Sequence, residues 1–173
     1  MLGAGTLKII FIRHAEAIDR CDAIVEEKRY LTPKGRISFR KTARTMIKKR
    51  VEPELIISSP LLRAIQTADI LAESLKYKGS LEALDELEPG FNIDQFRKLL
   101  HRYQHISELV IVGHEPDLSS VITSLLGLDK GFAFKKGGAV RLTIDPADLQ
   151  RGAVFKWLAL GNKLITSQDE VFG

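Results

Sequence analysis

Arg13 and His14 stand side by side at the end of a short apolar run, LKIIFI, and His114 closes a second run, LVIV, after Gly113. A third short run ends in Ser58-Ser59-Pro60 and is followed three residues later by Arg63. Two imidazoles and two guanidiniums placed this way suit the transfer of a dianionic phosphoryl group. Arg presents a planar fork of donors that fits phosphate oxygens, and His can be nucleophile, base or acid near neutral pH. A neutral His nitrogen in line with the leaving group can accept the phosphoryl group covalently, and water then releases it. The guanidiniums meanwhile offset the charge on the nonbridging oxygens. Arginines that supply the positive charge leave no requirement for a metal or other cofactor. The chain also has no glycine-rich Walker loop, no DxD cluster and no CxxxxxR loop.

For this chemistry to converge, the apolar runs must be neighbouring strands. Leu7 to Ile12 is short, rich in Ile and Phe and bounded by polar positions, which predicts a buried central strand rather than a helix. Its carboxyl end, where ligands bind in open α/β sheets, carries Arg13 and His14. Ile18 to Tyr30 reads as a loop over the site. Thr32-Pro33 reads as an N-cap with proline at the first helical position, opening a helix to about Arg50. Glu54 to Ile57 is a second strand, and Ser58-Ser59-Pro60 reads as another cap-and-proline start. The following helix carries an apolar stripe from Leu61 to Leu75, with Arg63 off the stripe in its first turn. Leu81 to Leu84 is a third strand and Leu87 to Gly90 a loop. Ile93 to Tyr103 reads as a helix, with His101 and His105 one turn apart as a solvated pair rather than metal ligands. Leu109 to Val112 is a buried strand, and Leu118 to Leu126 a helix that Gly127 ends. After a turn at Lys135 to Gly138, Ala139 to Ile144 and Ala153 to Leu160 read as an antiparallel pair. The sum is an α/β fold, a three-layer α/β/α sandwich whose mostly parallel central sheet has an antiparallel edge.

The chain has 173 residues, 45% apolar and 28% charged, the length and composition of one globular domain over residues 1–173. The lone Cys21 excludes an internal disulfide framework and a Cys-rich metal site. No apolar run reaches the length of a membrane span, so a cytoplasmic protein without a membrane partner is expected. Net charge is +4, unevenly spread. Lys28 to Val51 is rich in Lys and Arg and contains no Asp or Glu. This reads first as a solvated helix face and second as a field for anionic substrates. Without interleaved aromatics or a nucleic-acid motif, nucleic acid is not an expected partner.

Arg13-His14-Ala15 resembles the RHG signature of the histidine phosphatase superfamily, with Ala where most members have Gly. Ser58 to Ala68 resembles its second signature and Val112 to Pro116 its third. The short chain, the RHA variant and the GHEPDLS stretch resemble the SixA-type phosphohistidine phosphatases in particular. The resemblance implies a phosphoglycerate mutase-like fold, with His14 as the nucleophile that becomes phosphorylated. Arg13 and Arg63 would bind the phosphoryl oxygens, and His114 would complete the pocket. Glu115 and Lys136 are further candidates for substrate binding. An LxExxxG pattern at Leu84 to Gly90 offers Glu86 as general acid, with Glu88 as its neighbour and Asp19 as a third candidate. The SixA type often lacks a dedicated acid, which a labile phosphoramidate P–N bond tolerates better than an alkyl phosphate does. The implied substrate is a phosphohistidine on a protein. Small phosphorylated molecules (a sugar phosphate, a nucleotide or polyphosphate) are the alternative within the class, and a non-catalytic phosphate or phosphoprotein binding module is the alternative outside it.

Overall fold

In the first apolar run, Leu7 and Ile9 to Ile12 are buried while Lys8 reaches solvent. The reason is the strand's position. β1 (Leu7–Arg13) lies inside a seven-stranded sheet, flanked by β4 (Glu108–Gly113) in parallel and β5 (Ala139–Ile144) in antiparallel register. With β2 (Leu55–Ser58), β3 (Ser80–Ala83), β6 (Val154–Leu160) and β7 (Lys163–Ile165), the order is β3-β2-β4-β1-β5-β6-β7. β3, β2, β4 and β1 run parallel, and β5, β6 and β7 continue the sheet in antiparallel pairings. The computed structural model describes residues 5–173.

Alternating side chains of these strands feed two cores. Ile10, Ile12, Ile56, Val110 and Val112 pack with Phe39, Ala43 and Met46 of α1 (Pro33–Lys48) and Ala64, Ala68 and Leu71 of α2 (Leu62–Leu75). Ile9, Phe11, Leu109 and Ile111 pack on the other face with Phe96 and Leu99 of α3 (Ile93–Arg102) and Leu118 and Ile122 of α4 (Asp117–Leu126). The expected three-layer α/β/α arrangement with an antiparallel edge is what the chain adopts. Adjacent strands β1 and β4 thus send their following helices to opposite faces. That divergence opens a crevice at their carboxyl ends, the ligand position of doubly wound sheets.

Local chemistry sets the element boundaries. Thr32 caps α1, its Oγ accepting the Gly35 amide at 2.9 Å ahead of Pro33. The expected cap at Ser58-Ser59 is not one. α2 starts at Leu62 without a side-chain cap; Ser58 Oγ donates to the Ser59 carbonyl, and Ser59 Oγ accepts the Leu61 amide at 3.3 Å, one residue short of the helix, and meets His114. The expected one-turn spacing of His101 and His105 also fails, because α3 closes at Arg102 and Tyr103 caps it. Two short elements were not anticipated, β7 and α5 (Gln168–Phe172).

Gly35, in the first turn of α1, lies against the backbone that leaves the site. A Cβ there would be 3.0 Å from both the carbonyl carbon and the nitrogen of Glu16, and closer still to its oxygen. Gly35→Ala is therefore expected to destabilise by about 1–3 kcal/mol, as overpacking does. A thermal melt should show a drop of roughly 2–4 °C for each kcal/mol lost.

Candidate active site

The backbone around Arg13 and His14 is clamped from two sides. The His14 amide donates to the Gly113 carbonyl of β4 and the Arg13 amide to the Gly138 carbonyl, each at 3.1 Å. In return the Gly137 amide donates to the carbonyls of both Arg13 and His14. Gly137 has φ of +72°, a left-handed conformation that glycine adopts without strain. Thr42 of α1 braces this turn by donating to the Gly137 carbonyl at 2.9 Å. Thr67 of α2 ties the other side, accepting the Ala15 amide at 3.0 Å and donating to the Arg63 carbonyl at 2.7 Å.

On this frame His14 and His114 are both buried, with ring centroids 5.2 Å apart. His14 Nδ1 lies 2.8 Å from the Ala15 carbonyl oxygen. A carbonyl only accepts, so Nδ1 carries the proton and Nε2 of the neutral ring keeps its lone pair. Arg63 Nε–H donates to that Nε2 at 3.3 Å. Desolvation by burial, helped by the charges of Arg63 and Arg13 and by His114, outweighs the opposing hydrogen bond to Ala15 and lowers the His14 pKa to about 3. Burial, with Arg63 next, lowers that of His114 to about 4. Both rings are neutral at pH 7. His114 Nε2 is 2.7 Å from Ser59 Oγ.

The two arginines are held differently. Arg13 Nη1 donates to the Phe134 carbonyl at 2.7 Å. Arg63 Nη1 donates to the Glu26 carbonyl and Nη2 pairs with Glu26 Oε1, both at 3.0 Å. Arg13 Nε and His114 Nδ1 are buried without a hydrogen-bond partner among the described residues. Buried polar groups ordinarily find partners, so Arg13 Nε–H is a donor that an incoming oxyanion can use, as is His114 Nδ1 in the tautomer in which Ser59 Oγ–H donates to Nε2. The arrangement can bind a phosphoryl group between two guanidiniums and present an unprotonated imidazole nitrogen to its phosphorus.

A cavity of about 690 Å³ brings together Arg13, His14, Arg63, His114, Glu115, Lys136 and Asp19. Burial raises the Glu115 carboxyl above the usual range, outweighing the hydrogen bonds with Ser119 that lower it. Glu86 is not brought to the site. It lies outside the cavity lining, with Oε1 2.9 Å from Arg102 on α3, and hydrogen bonds from its own backbone amide and from Arg102 keep its carboxyl below the usual range. Arg102 thus draws away the carboxylate that sequence alignment offers as the acid, and Glu88 does not line the cavity either. Glu86→Gln should leave kcat within about twofold of wild type in a steady-state assay, far from the roughly 10²–10⁴-fold loss of a general acid. Sequence reasoning missed Ser59, although it lies in the second motif, and missed Glu26 and Arg29, for which the loop gave no signal.

The sequence model of the histidine phosphatase superfamily (branch 1) matches residues 9–92. An uncharacterized protein of Picosynechococcus sp. is 32% identical over 148 residues, 83% of this chain and 89% of that protein. The chain belongs to the histidine phosphatase superfamily. Phosphohistidine phosphatase SixA of Escherichia coli is 24% identical over 153 residues, covering 87% of this chain and 92% of SixA. A solved structure of the protein histidine phosphatase SixA complexed with tungstate superposes with a TM-score of 0.80 at 22% identity, over 90% of this chain and 97% of that one. The latter is a likeness of fold. Within this histidine phosphatase chain the family match takes in Arg13, His14 and Arg63, and the pairing of β1 with β4 adds His114.

Proposed function

We propose that this member of the histidine phosphatase superfamily hydrolyses phosphohistidine on proteins through a phosphorylated His14. The observation that carries the reading is His14 Nε2, kept unprotonated by the Nδ1 bond to Ala15, whose lone pair accepts the Arg63 Nε–H and turns to phosphorus when that donor shifts to a phosphoryl oxygen. Nε2 attacks the phosphorus as the substrate's P–N bond breaks, and the departing imidazole nitrogen takes a proton from solvent. Water then attacks the phosphorus, the bond to Nε2 breaks, and inorganic phosphate leaves as the water's proton passes to solvent. Arg13 and Arg63 stabilise the charge on the equatorial oxygens in both steps, and His114 completes the pocket. Glu86 is turned toward Arg102, which favours a leaving group that needs little help from a fixed acid. Similarity to E. coli SixA supports the same substrate class. A protein that only bound phosphate would have no use for an unprotonated imidazole nitrogen beside the arginine.

The cavity volume and its cationic lining, which includes Lys136, favour a second reading, a small phosphorylated molecule. Steady-state hydrolysis by wild type and His14→Ala of a phosphohistidine-bearing protein, beside phosphomonoesters and polyphosphate, separates the two. A strong preference in kcat/KM for the phosphohistidine protein, lost in the variant, is the expected result. Preference for the monoesters or polyphosphate would overturn the substrate assignment.

A further inference from the structure

Glu26 lies inside the cavity, and its carboxylate is gripped by three guanidiniums. Oε1 is 3.0 Å from Arg63 Nη2 and 2.9 Å from Arg29 Nη1, while Oε2 is 3.0 Å from Arg20 Nε. That is more cationic donor capacity than one carboxylate uses. Arg29 is anchored independently of Glu26. Its Nε–H donates to the Ile18 carbonyl at 2.9 Å, and its side chain is 13% exposed. Glu26 instead sits on a three-residue 3₁₀ turn, Glu26–Lys28, with none of its residues buried. Arg29 therefore keeps an anchor of its own without the carboxylate, whereas Arg20, with a side chain 80% exposed, is held by Glu26 alone among the described residues, and the Glu26 backbone carbonyl stays bonded to Arg63. Because one oxygen touches both Arg63 and Arg29, the basic surface continues without a gap from the His14 side of Arg63 into the loop.

We infer that Arg29 and Arg20 form a second oxyanion subsite, contiguous through Arg63 with the phosphoryl pocket, which binds a further carboxylate or phosphate of the substrate. Glu26 is its internal tenant and yields to that group. The inference rests on the reading that Arg63 serves the phosphoryl group, and it narrows the substrate to one with a second anionic group close to the first. Binding also frees Arg63 from the Glu26 carboxylate, so that the substrate's second anion helps release the guanidinium to its first.

Calorimetric titration with inorganic phosphate and with diphosphate tests this without turnover. Glu26→Gln should tighten diphosphate by about tenfold or more and phosphate by less, the scale of one charge-assisted contact. Arg29→Gln, which removes the independently anchored guanidinium of the subsite and leaves the exposed Arg20, should cancel most of the extra gain for diphosphate when combined with Glu26→Gln. If Glu26→Gln weakens both ligands, or both respond equally with and without Arg29, Glu26 is only a strut for Arg63 and the subsite is refuted. The source of the second anion is read from phosphohistidine peptides with Asp or Ala beside the phosphohistidine. A kcat/KM preference for Asp that Arg29→Gln abolishes assigns a protein carboxylate. A diphosphate effect without a peptide preference assigns a second phosphate on a small molecule. Failure to turn over any phosphohistidine peptide would sink the proposed function, while the two titrations would still decide the subsite.

Discussion

His14→Ala is expected to lower kcat by on the order of 10⁵–10⁶, the loss that follows removal of a catalytic nucleophile, with the fold intact. The backbone that carries the ring is fixed by the Arg13 and His14 amides, which donate to the Gly138 and Gly113 carbonyls and do not depend on the imidazole. A rapid-quench experiment with radiolabelled substrate should show acid-labile label on wild type and none on the variant. Label persisting on His14→Ala would remove His14 as the acceptor. The depressed pKa adds a pH signature. A nucleophilic imidazole of ordinary pKa loses its lone pair to protonation near pH 6.5, whereas His14 in the free protein keeps it until about pH 3, so kcat/KM should show no loss of nucleophile between pH 7 and 5. Stability moves the other way. Both folded-state values, about 3 and about 4, lie below the ordinary 6.5, so the unfolded chain binds protons first. The stabilising contribution is whole above about pH 6.5 and drains away as the pH falls from there toward the folded-state values. The melting temperature should therefore decline on acidification while the nucleophile is still competent.

The second large effect belongs to Arg63. Arg63→Ala should reduce kcat/KM by about 10²–10³, the cost of one preorganised charge-stabilising donor, or roughly 3–4 kcal/mol at 1.36 kcal/mol per tenfold. The expected loss exceeds that of an exposed arginine because the guanidinium is almost wholly buried and is already aimed by Glu26 and by His14 Nε2. Lysine should restore little, since a point charge on a flexible stem cannot reach Nε2 and the phosphoryl oxygens together. Stopped measurements of kcat/KM for Arg63→Ala and Arg63→Lys check both statements. Near-full activity in the lysine variant would mean that charge alone, and not the fork, is what the site uses.

What could be read from the chain divides along a physical line. Arg13, His14 and His114 were legible because a buried strand announces itself by its apolar run, and the polar residues just past its end can only lie at the sheet's carboxyl edge. Arg63 was legible for a similar reason, in the first turn of the helix after β2. Ser59 was misread because a serine ahead of proline has the same local signature whether its hydroxyl caps a helix or meets a histidine from another strand. Glu26 and Arg29 were illegible because their meeting with Arg63 depends on the path of an irregular loop. Glu86 was aligned by pattern, and only the approach of Arg102 from α3 takes it out of contention. β7 and α5 escaped notice since three and five residues are too few for a period to show.

The clamp between His14 and Gly113 has a consequence for how the protein comes to be active. It joins the first strand to the fourth, and the turn at Gly137 and Gly138 adds a segment from the last third of the chain. Such distant partners meet only after the intervening loops have closed, which makes them late and costly contacts to form. On the proposed reading, His14 therefore meets the partners that position it only once segments from the two ends of the chain have come together.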